Sequence, residues 1–408
     1  MKKKSSVSVS PGKLLTWFHN SKYLLRFVWK HRRFLKFLLR SAKRKKEILK
    51  FDLNDEQFFA KRPPNDVNLY LTFACNLSCK MCPYFGECGM FADKKPIPDA
   101  EPQLEIEIYS KLANDLKENP TFYYLSGGEP LLYRQGTANL IKELKKNNAM
   151  VALNTNGTLL AEQAEDLTIA GLDLLILSID GPEEIHDKIR GTKGTFRKAV
   201  EGLKRMMSVR YERKLKTPVL SVLLTISKWN YHIIDQVPDI FNNWELDMLG
   251  INFSFFTDEE HGEKSVEIKQ KEFGIESDDW KGLLIDVAEI DTKILAEKYA
   301  SVLSAKKKFL LYTMPPGLKP DEVETFYCNL DDTFGRKQCW KPWYRTFIQP
   351  NGDITTCEEY HDCVMGNIKT ESILDIWNNE TYRHFRKVIK KIGYFPYCTR
   401  CTNGLYET

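Results

Sequence analysis

"LTFACNLSCKMCP", residues Leu71 to Pro83, sets Cys75, Cys79 and Cys82 within eight positions of a chain that holds ten cysteines in 408 residues. Three thiols on one short loop limit the chemistry. A disulfide takes two and leaves one over, and a structural zinc site takes four ligands, usually split between two knuckles. Three thiolates suit a metal cluster that keeps one coordination position open. A zinc knuckle or incidental thiols are the other readings of these residues alone. The run "VNLYLTFA" (67–74) is β-branched and aromatic and reads as a strand that ends at Cys75.

Outward from this loop the chain becomes regular. Apolar runs at 121–127, 149–157, 173–181, 218–227 and 249–256 read as five more strands, and helical stretches over 103–117, 135–147, 161–170, 194–209 and 230–243 separate the six. Alternation of this kind predicts an α/β fold with a parallel sheet and crossover helices. Strands that are almost continuously apolar fit burial on both faces. In parallel α/β barrels the chemistry sits at the carboxyl ends of the strands. Those ends carry the three cysteines, then "SGGEP" (126–130), "NTNGT" (154–158) and "SIDGP" (178–182). Residues 257–335 read as charged and mostly helical, with a boundary at "YTMPPGLKP" (312–320).

With 42% hydrophobic and 28% charged residues, the composition is that of a globular protein. No run of eighteen uncharged apolar residues predicts a membrane-spanning helix. The start, "MKKKSSVSVSPG", has no unbroken apolar core, so a cytoplasmic location with reduced thiols is expected. Charge is uneven: 16 of the 60 basic residues and one of the 55 acidic ones fall in residues 1–50, which leaves the remainder net acidic. That basic head spaces Leu24, Val28, Leu35 and Leu38 at near-helical intervals and adds Trp17, Phe18, Trp29 and Phe34. It fits a helix at an anionic membrane surface, a helix docked on the acidic body or on a partner, or nucleic acid met by charge alone. No motif for specific nucleic-acid recognition accompanies it.

Cys-x3-Cys-x2-Cys directly after the first strand of a βα array resembles the radical S-adenosylmethionine superfamily. The resemblance implies a partial (β/α)6 TIM-type barrel and a 4Fe–4S cluster on Cys75, Cys79 and Cys82. Its fourth iron would be chelated by S-adenosylmethionine, and reductive cleavage would yield a 5′-deoxyadenosyl radical. Gly127, Gly128 and Glu129 resemble the motif that holds the methionine amino group. Ser178 and Asp180 would reach the ribose or carboxylate, Arg190 the methionine carboxylate, and Asn156 belongs to the same shell. A structural salt bridge is the other reading of Arg190. Met81 stands where the family often has an aromatic residue near the adenine; a thioether packs on a flat ring, and Tyr84 lies close by.

Toward the carboxyl end, "CWKPWYRTFIQPNGDITTC" spells Cys-x12-Gly-x4-Cys from Cys339 through Gly352 to Cys357, with "NGD" at a hairpin turn. "CTRC" adds Cys398 and Cys401. This resembles the SPASM/twitch extensions of radical enzymes, the shorter twitch type fitting better because seven residues without cysteine follow Cys401. The four thiolates would ligate an auxiliary 4Fe–4S cluster. Structural zinc also accepts four cysteines. Cys363 and Cys328 are spare candidates, and Cys88 is a core thiol or faces the first cluster.

The expected organisation is a basic amphipathic helical extension over 1–60, a core over 65–310, a linker over 311–335 and an auxiliary-cluster domain over 336–408. The resemblance implies hydrogen abstraction from a substrate C–H bond, and by analogy a net oxidation of a small molecule or sugar. It also implies an electron donor such as flavodoxin or ferredoxin. Radical modification of a peptide or of a lipid-linked substrate at a membrane face is the alternative within that chemistry. A non-catalytic, zinc-stabilised binding protein is the alternative outside it.

Overall fold

The six apolar runs and a seventh, over 310–314, become parallel strands laid side by side in chain order. They are β1 (Asp66–Tyr70), β2 (Phe122–Ser126), β3 (Met150–Thr155), β4 (Leu174–Ser178), β5 (Val219–Thr225), β6 (Met248–Asn252) and β7 (Leu310–Met314). The computed structural model describes residues 21–48, 62–87, 89–90 and 102–402. Trp17, Phe18 and Cys88, singled out from sequence, lie outside the described residues. On the other edge of β1, β8 (Arg345–Ile348) also runs parallel, and it turns back into β9 (Asp353–Thr355) and β10 (Gly366–Asn367). The order runs from β10 to β7 without closing, which is the wall of a partial barrel.

From β1 to β7 the wall holds one strand more than the six expected. β7 pairs with β6 from Met248↔Leu310 to Asn252↔Met314, where the sequence suggests the end of a helical stretch and a linker over 311–335. A five-residue apolar run cannot be told from a helix turn by its period. Here the open edge of β6 decides, because its backbone donors and acceptors need partners. The same 311–335 segment also carries the helix Val323–Cys328. β1 ends four residues short of the expected strand, and the reason lies in its neighbour. The Gly128 and Glu129 amides donate to the carbonyls of Thr72 (2.8 Å) and Ala74 (2.8 Å), so residues 71–74 pair with the "GGE" turn instead of continuing the ladder.

Period-two alternation sorts the strand residues into two cores. Val67, Leu125, Val151, Leu175, Val222 and Leu249 belong to the large core packed with the helices. Met150, Leu174, Val219, Met248 and Leu310, each the first residue of its strand, face the amino-terminal mouth of the barrel. A helical hairpin, Ser21–Lys30 and Arg32–Ile48, covers that mouth with Phe27 and Phe34, both almost wholly buried. Burying each phenylalanine contributes about 1.5–3 kcal/mol. Of the roles expected for the basic head, the structure shows docking on the body of the protein. Lys30 and His31 meet the buried Asp247 at 2.6 and 3.1 Å, and Trp29 and Leu39 stay exposed. Among the described residues no helix is long and apolar enough to cross a membrane.

Candidate active site

Everything chemically distinctive in the first half of the chain gathers at the carboxyl ends of β1–β4. The loop after residue 74 is folded by its own backbone: the Cys82 amide donates to the Cys79 carbonyl (3.1 Å) and the Gly86 amide to the Cys82 carbonyl (2.9 Å). The Lys80 amide ties the loop to the Ile189 carbonyl at 2.9 Å. Cys75, Cys79 and Cys82 are all half-buried and unbridged. Burial pushes the Cys75 thiol up to about 12, with Glu129 and the neighbouring thiols adding to the shift. It raises Cys79 as well, against the opposing charge of Arg190. Thiols held in this way keep their protons until a metal binds and displaces them to solvent.

The "GGE" turn crosses directly under this loop. Gly127 has φ +129°, and a Cβ on Gly128 would stand 2.2 Å from the Ala74 carbonyl oxygen, so only glycine allows the two backbones to approach. Glu129 is completely buried. Its carboxylate accepts from the Leu131 amide (3.0 Å), the Thr155 hydroxyl (2.7 Å) and the Asn156 amide (2.9 Å). Burial raises its pKa despite those donors. This side chain therefore braces β2 against β3, and the half-buried Gly127 and Gly128 are the part of the motif that faces the rim. Asn156 donates to Asn76 (3.0 Å) and lies 4.0 Å from the Cys75 sulfur. Ser178 ends β4, half-buried.

Arg190 arrives on the helix Glu183–Arg190, which has two glutamates in its first turn, Lys188 and Arg190 in its last, and Gly191 in the left-handed region at its end. That charge order complements the helix dipole, and the glycine fixes where the helix stops. The guanidinium grips the fully buried Asp180 through Nε (2.7 Å) and Nη2 (2.6 Å), while Nη1 lies 3.8 Å from the Cys79 sulfur. The salt-bridge reading of Arg190 is thus realised, and the pair also touches the cluster loop.

His186 Nδ1 accepts from the Asp180 amide at 3.2 Å, so the neutral ring helps to shape this site. Burial, reinforced by Arg190, lowers its pKa to about 4. The unfolded chain binds this proton near 6.5 and the folded chain only near 4, so the unfolded state takes up more protons between the two. Stability then falls as pH drops through that window, by roughly 3 kcal/mol in full. A urea-unfolding series from pH 7 to 4.5 is expected to show a steeper loss for the wild type than for His186→Gln; equal slopes would refute it.

The second set of thiols lies deeper. Cys339, Cys357, Cys398 and Cys401 are each less than 8% exposed. Cys357 follows β9, and the turn Pro396–Arg400 carries Cys398 toward Cys401. Cys339, Cys357 and Cys398 each lie within electrostatic reach of Cys401. Burial pushes the Cys357 thiol up to about 12, opposed by Lys341. Burial acts to lower the Lys341 pKa, but the charge interaction with Cys357 and Cys401 outweighs it and holds the pKa well above the usual lysine value. Of the spare cysteines, Cys328 is exposed at a helix end, and Cys363 is buried beside the Lys269–Asp362 pair, with Tyr397 in electrostatic reach of it and of Cys357 and Cys398.

Sequence reasoning missed what joins the two sets. Tyr84, two residues after Cys82, donates to the Tyr70 hydroxyl (2.7 Å) and meets His361 Nε2 at 3.4 Å. Tyr70, Phe73, Tyr84, Phe347 and His361 form one aromatic cluster between the cysteine loops. The one available signal was position, since His361 falls four residues after Cys357 in "CEEYHDC".

The donor chemistry fits iron–sulfur clusters. One loop offers three thiols, and a buried pocket offers four with cations beside them. Among the described residues no three His, Cys, Asp or Glu side chains are placed to hold a single metal ion.

Comparison with known proteins agrees. Residues 69–236 match the Radical SAM superfamily, and residues 339–402 match the SPASM iron–sulfur cluster-binding domain. The tungsten-containing aldehyde ferredoxin oxidoreductase cofactor-modifying protein of Pyrococcus furiosus is 25% identical over 349 residues, 82% of this chain and 86% of that protein. An AdoMet-dependent heme synthase of Methanosarcina barkeri is 25% identical over 319 residues, 78% of this chain and 83% of its own length. Among solved structures, Streptococcus suis SuiB bound to S-adenosylmethionine superposes with a TM-score of 0.54 at 15% identity, covering 79% of this chain and 68% of that one. Native anSMEcpe with bound AdoMet gives 0.54 at 16% identity, covering 83% and 89%. At such identities the structural likenesses speak for the fold. The two matched domains bring a 4Fe–4S cluster that binds S-adenosylmethionine and an auxiliary iron–sulfur cluster. The chain thus carries a Radical SAM domain followed by a carboxyl-terminal SPASM iron–sulfur cluster-binding domain.

Proposed function

We propose that the enzyme removes a hydrogen atom from a C–H bond of a small molecule and completes a net two-electron oxidation. The contact between the two cysteine loops, Tyr84 against His361 at 3.4 Å, is the observation that carries this reading. Cys75, Cys79 and Cys82 would hold the first cluster, and Cys339, Cys357, Cys398 and Cys401 the auxiliary one. When bound, the first cluster and S-adenosylmethionine supply a hydrogen-abstracting radical, and the auxiliary cluster supplies an acceptor for one electron.

The chain's own residues bind, orient and shield. Gly127 and Gly128 present backbone that a ligand can approach without a Cβ in the way. Asp180 and Arg190 fix charge beside Cys79, Asn156 does the same for polarity beside Cys75, and Ser178 offers a hydroxyl at the rim of β4. The Tyr70–Tyr84–His361 cluster keeps water from the space between the loops. Flavodoxin or ferredoxin would supply the first electron. Two relatives that align with most of the chain are named for cofactor modification and heme synthesis, which favours a cofactor or its precursor over a peptide as the small molecule.

Anaerobically reconstituted protein is expected to hold about eight iron and eight sulfide. With a panel of deuterated cofactor precursors it should carry deuterium into 5′-deoxyadenosine, one S-adenosylmethionine being consumed per oxidised product. Zinc without sulfide, or 5′-deoxyadenosine that stays unlabelled across the panel, would overturn the proposal.

A further inference from the structure

Lys341 occupies an unusual position for a lysine. It begins the short turn Lys341–Trp343, two residues after Cys339, and it is 2% exposed. Its ammonium lies 3.5 Å from the Cys401 sulfur and 4.0 Å from the Cys357 sulfur. Among the described residues it makes no ion pair with a carboxylate. Lysine can only donate, and an ammonium buried without a counter-charge is costly. The groups within 4.0 Å of it are sulfurs, and Glu358, Glu359 and Arg345 act on it by charge without an ion pair.

Charge explains why it is there. Four thiolates around a buried cubane make the pocket anionic, and each reduction adds another negative charge where water cannot screen it. A cation fixed at hydrogen-bond distance from two of the sulfurs stabilises the reduced form more than the oxidised one, and hydrogen bonds and charge near the sulfurs are what set such potentials. Arg336 stands on another side, its Nη1 donating to the Cys398 carbonyl at 2.8 Å and its guanidinium packed on the Tyr394 ring. The Tyr360 hydroxyl, 2.9 Å from the Cys398 sulfur, adds a polar contact without charge. Arg336 acts by charge on the Cys339 and Cys398 sulfurs, while Lys341 is the cation that comes within 4.0 Å of the Cys357 and Cys401 sulfurs.

We propose that Lys341 is a positioning residue of the auxiliary site, whose ammonium raises the potential of the cluster on Cys339, Cys357, Cys398 and Cys401 so that the site readily takes an electron. This rests on the assignment of those four cysteines made above. It makes the site an acceptor and gives the oxidative reading a physical basis in one side chain.

Potentiometric titration of the anaerobic holoenzyme, followed by electron paramagnetic resonance, tests it. In Lys341→Met the auxiliary midpoint should shift to lower potential, in Lys341→Gln it should shift part or all of that way, and in Lys341→Arg it should stay near the wild type. The first cluster's midpoint, and its spectral change on adding S-adenosylmethionine, should not move in any variant. An unshifted auxiliary midpoint in a Met or Gln variant that keeps its auxiliary iron overturns the role of Lys341 and leaves the cysteine assignment standing. If Met and Gln both fail to retain the auxiliary cluster, retention in Arg supports the charge argument and loss in Arg overturns it. Absence of an auxiliary signal from the wild type overturns both the assignment and the inference.

Discussion

Changing Cys75, Cys79 and Cys82 together to Ala is expected to abolish reductive cleavage of S-adenosylmethionine, to the level seen without enzyme, while the auxiliary site keeps about four of the eight iron. The prediction is sharp because the two halves of the site depend on different bonds. The first loop is shaped by backbone hydrogen bonds, from Cys82 to Cys79, Gly86 to Cys82 and Lys80 to Ile189, none of which needs a sulfur. Alanine removes the three half-buried thiols and leaves that framework in place. The second set sits in its own buried pocket, bounded by Lys341, Arg336 and Tyr360. It reaches the first loop through the β8–β1 pairing and the Tyr84–His361 contact, whose own bonding atoms the substitutions leave in place, although Cys82 packs on the same aromatic cluster. Product analysis for 5′-deoxyadenosine, with iron and sulfide counts on the same sample, gives the readout. Residual cleavage above background in the triple variant would mean that other residues hold the first cluster. Loss of all eight iron would mean that the two sites are not built independently.

Local chemistry was legible in the sequence, and long-range chemistry was not. Cysteine spacing is a property of a few consecutive residues, so both thiol sets and the rim of β1–β4 could be read directly. The inward-turned Glu129 could not, because two of its donors, Thr155 and Asn156, come from a strand 26 and 27 residues away. Lys341 is separated by 60 residues from Cys401, and Tyr84 by 277 from His361, so no window on the sequence relates them. β7 was missed for a different reason: its apolar run is too short to show a period, and the free edge of β6 selects its conformation. The basic head combined both difficulties. Its aromatic residues were visible, but the surface that receives them consists of the first residues of five strands, assembled only when the barrel forms.

Asp247 is the buried carboxylate that fastens the hairpin to that surface, and Asp247→Ala is expected to cost roughly 3–5 kcal/mol of stability. Asp247 lies immediately before β6, with its side chain 5% exposed. Oδ1 accepts from Lys30 at 2.6 Å and faces His31 at 3.1 Å; Oδ2 accepts from Arg210 and from the Leu220 amide, the latter at 3.0 Å. One side chain thereby joins the hairpin, β5 and the helix Thr195–Glu212. Burial acts to raise the Asp247 pKa, but the His31 hydrogen bond and the Arg210 and Lys30 charges outweigh it and hold the carboxyl well below the usual carboxylate range. The stabilisation is therefore present above the unfolded value of about 3.9 and is lost as pH falls below it toward the folded value. Alanine leaves Arg210, 4% exposed, without its counter-ion, so the penalty is the desolvation of a stranded charge more than the loss of a bond. Lys30, with 29% of its side chain exposed, can turn to water, so Lys30→Met should cost only about 1 kcal/mol. Chemical denaturation of both variants at pH 7, with limited trypsin cleavage within residues 32–48 as a probe of docking, separates the terms. An Asp247→Ala variant as stable as Lys30→Met, with the hairpin still resistant to trypsin, would show that the aromatic contacts and the Arg33 bonds to Asn148 and Ala149 hold the hairpin without Asp247.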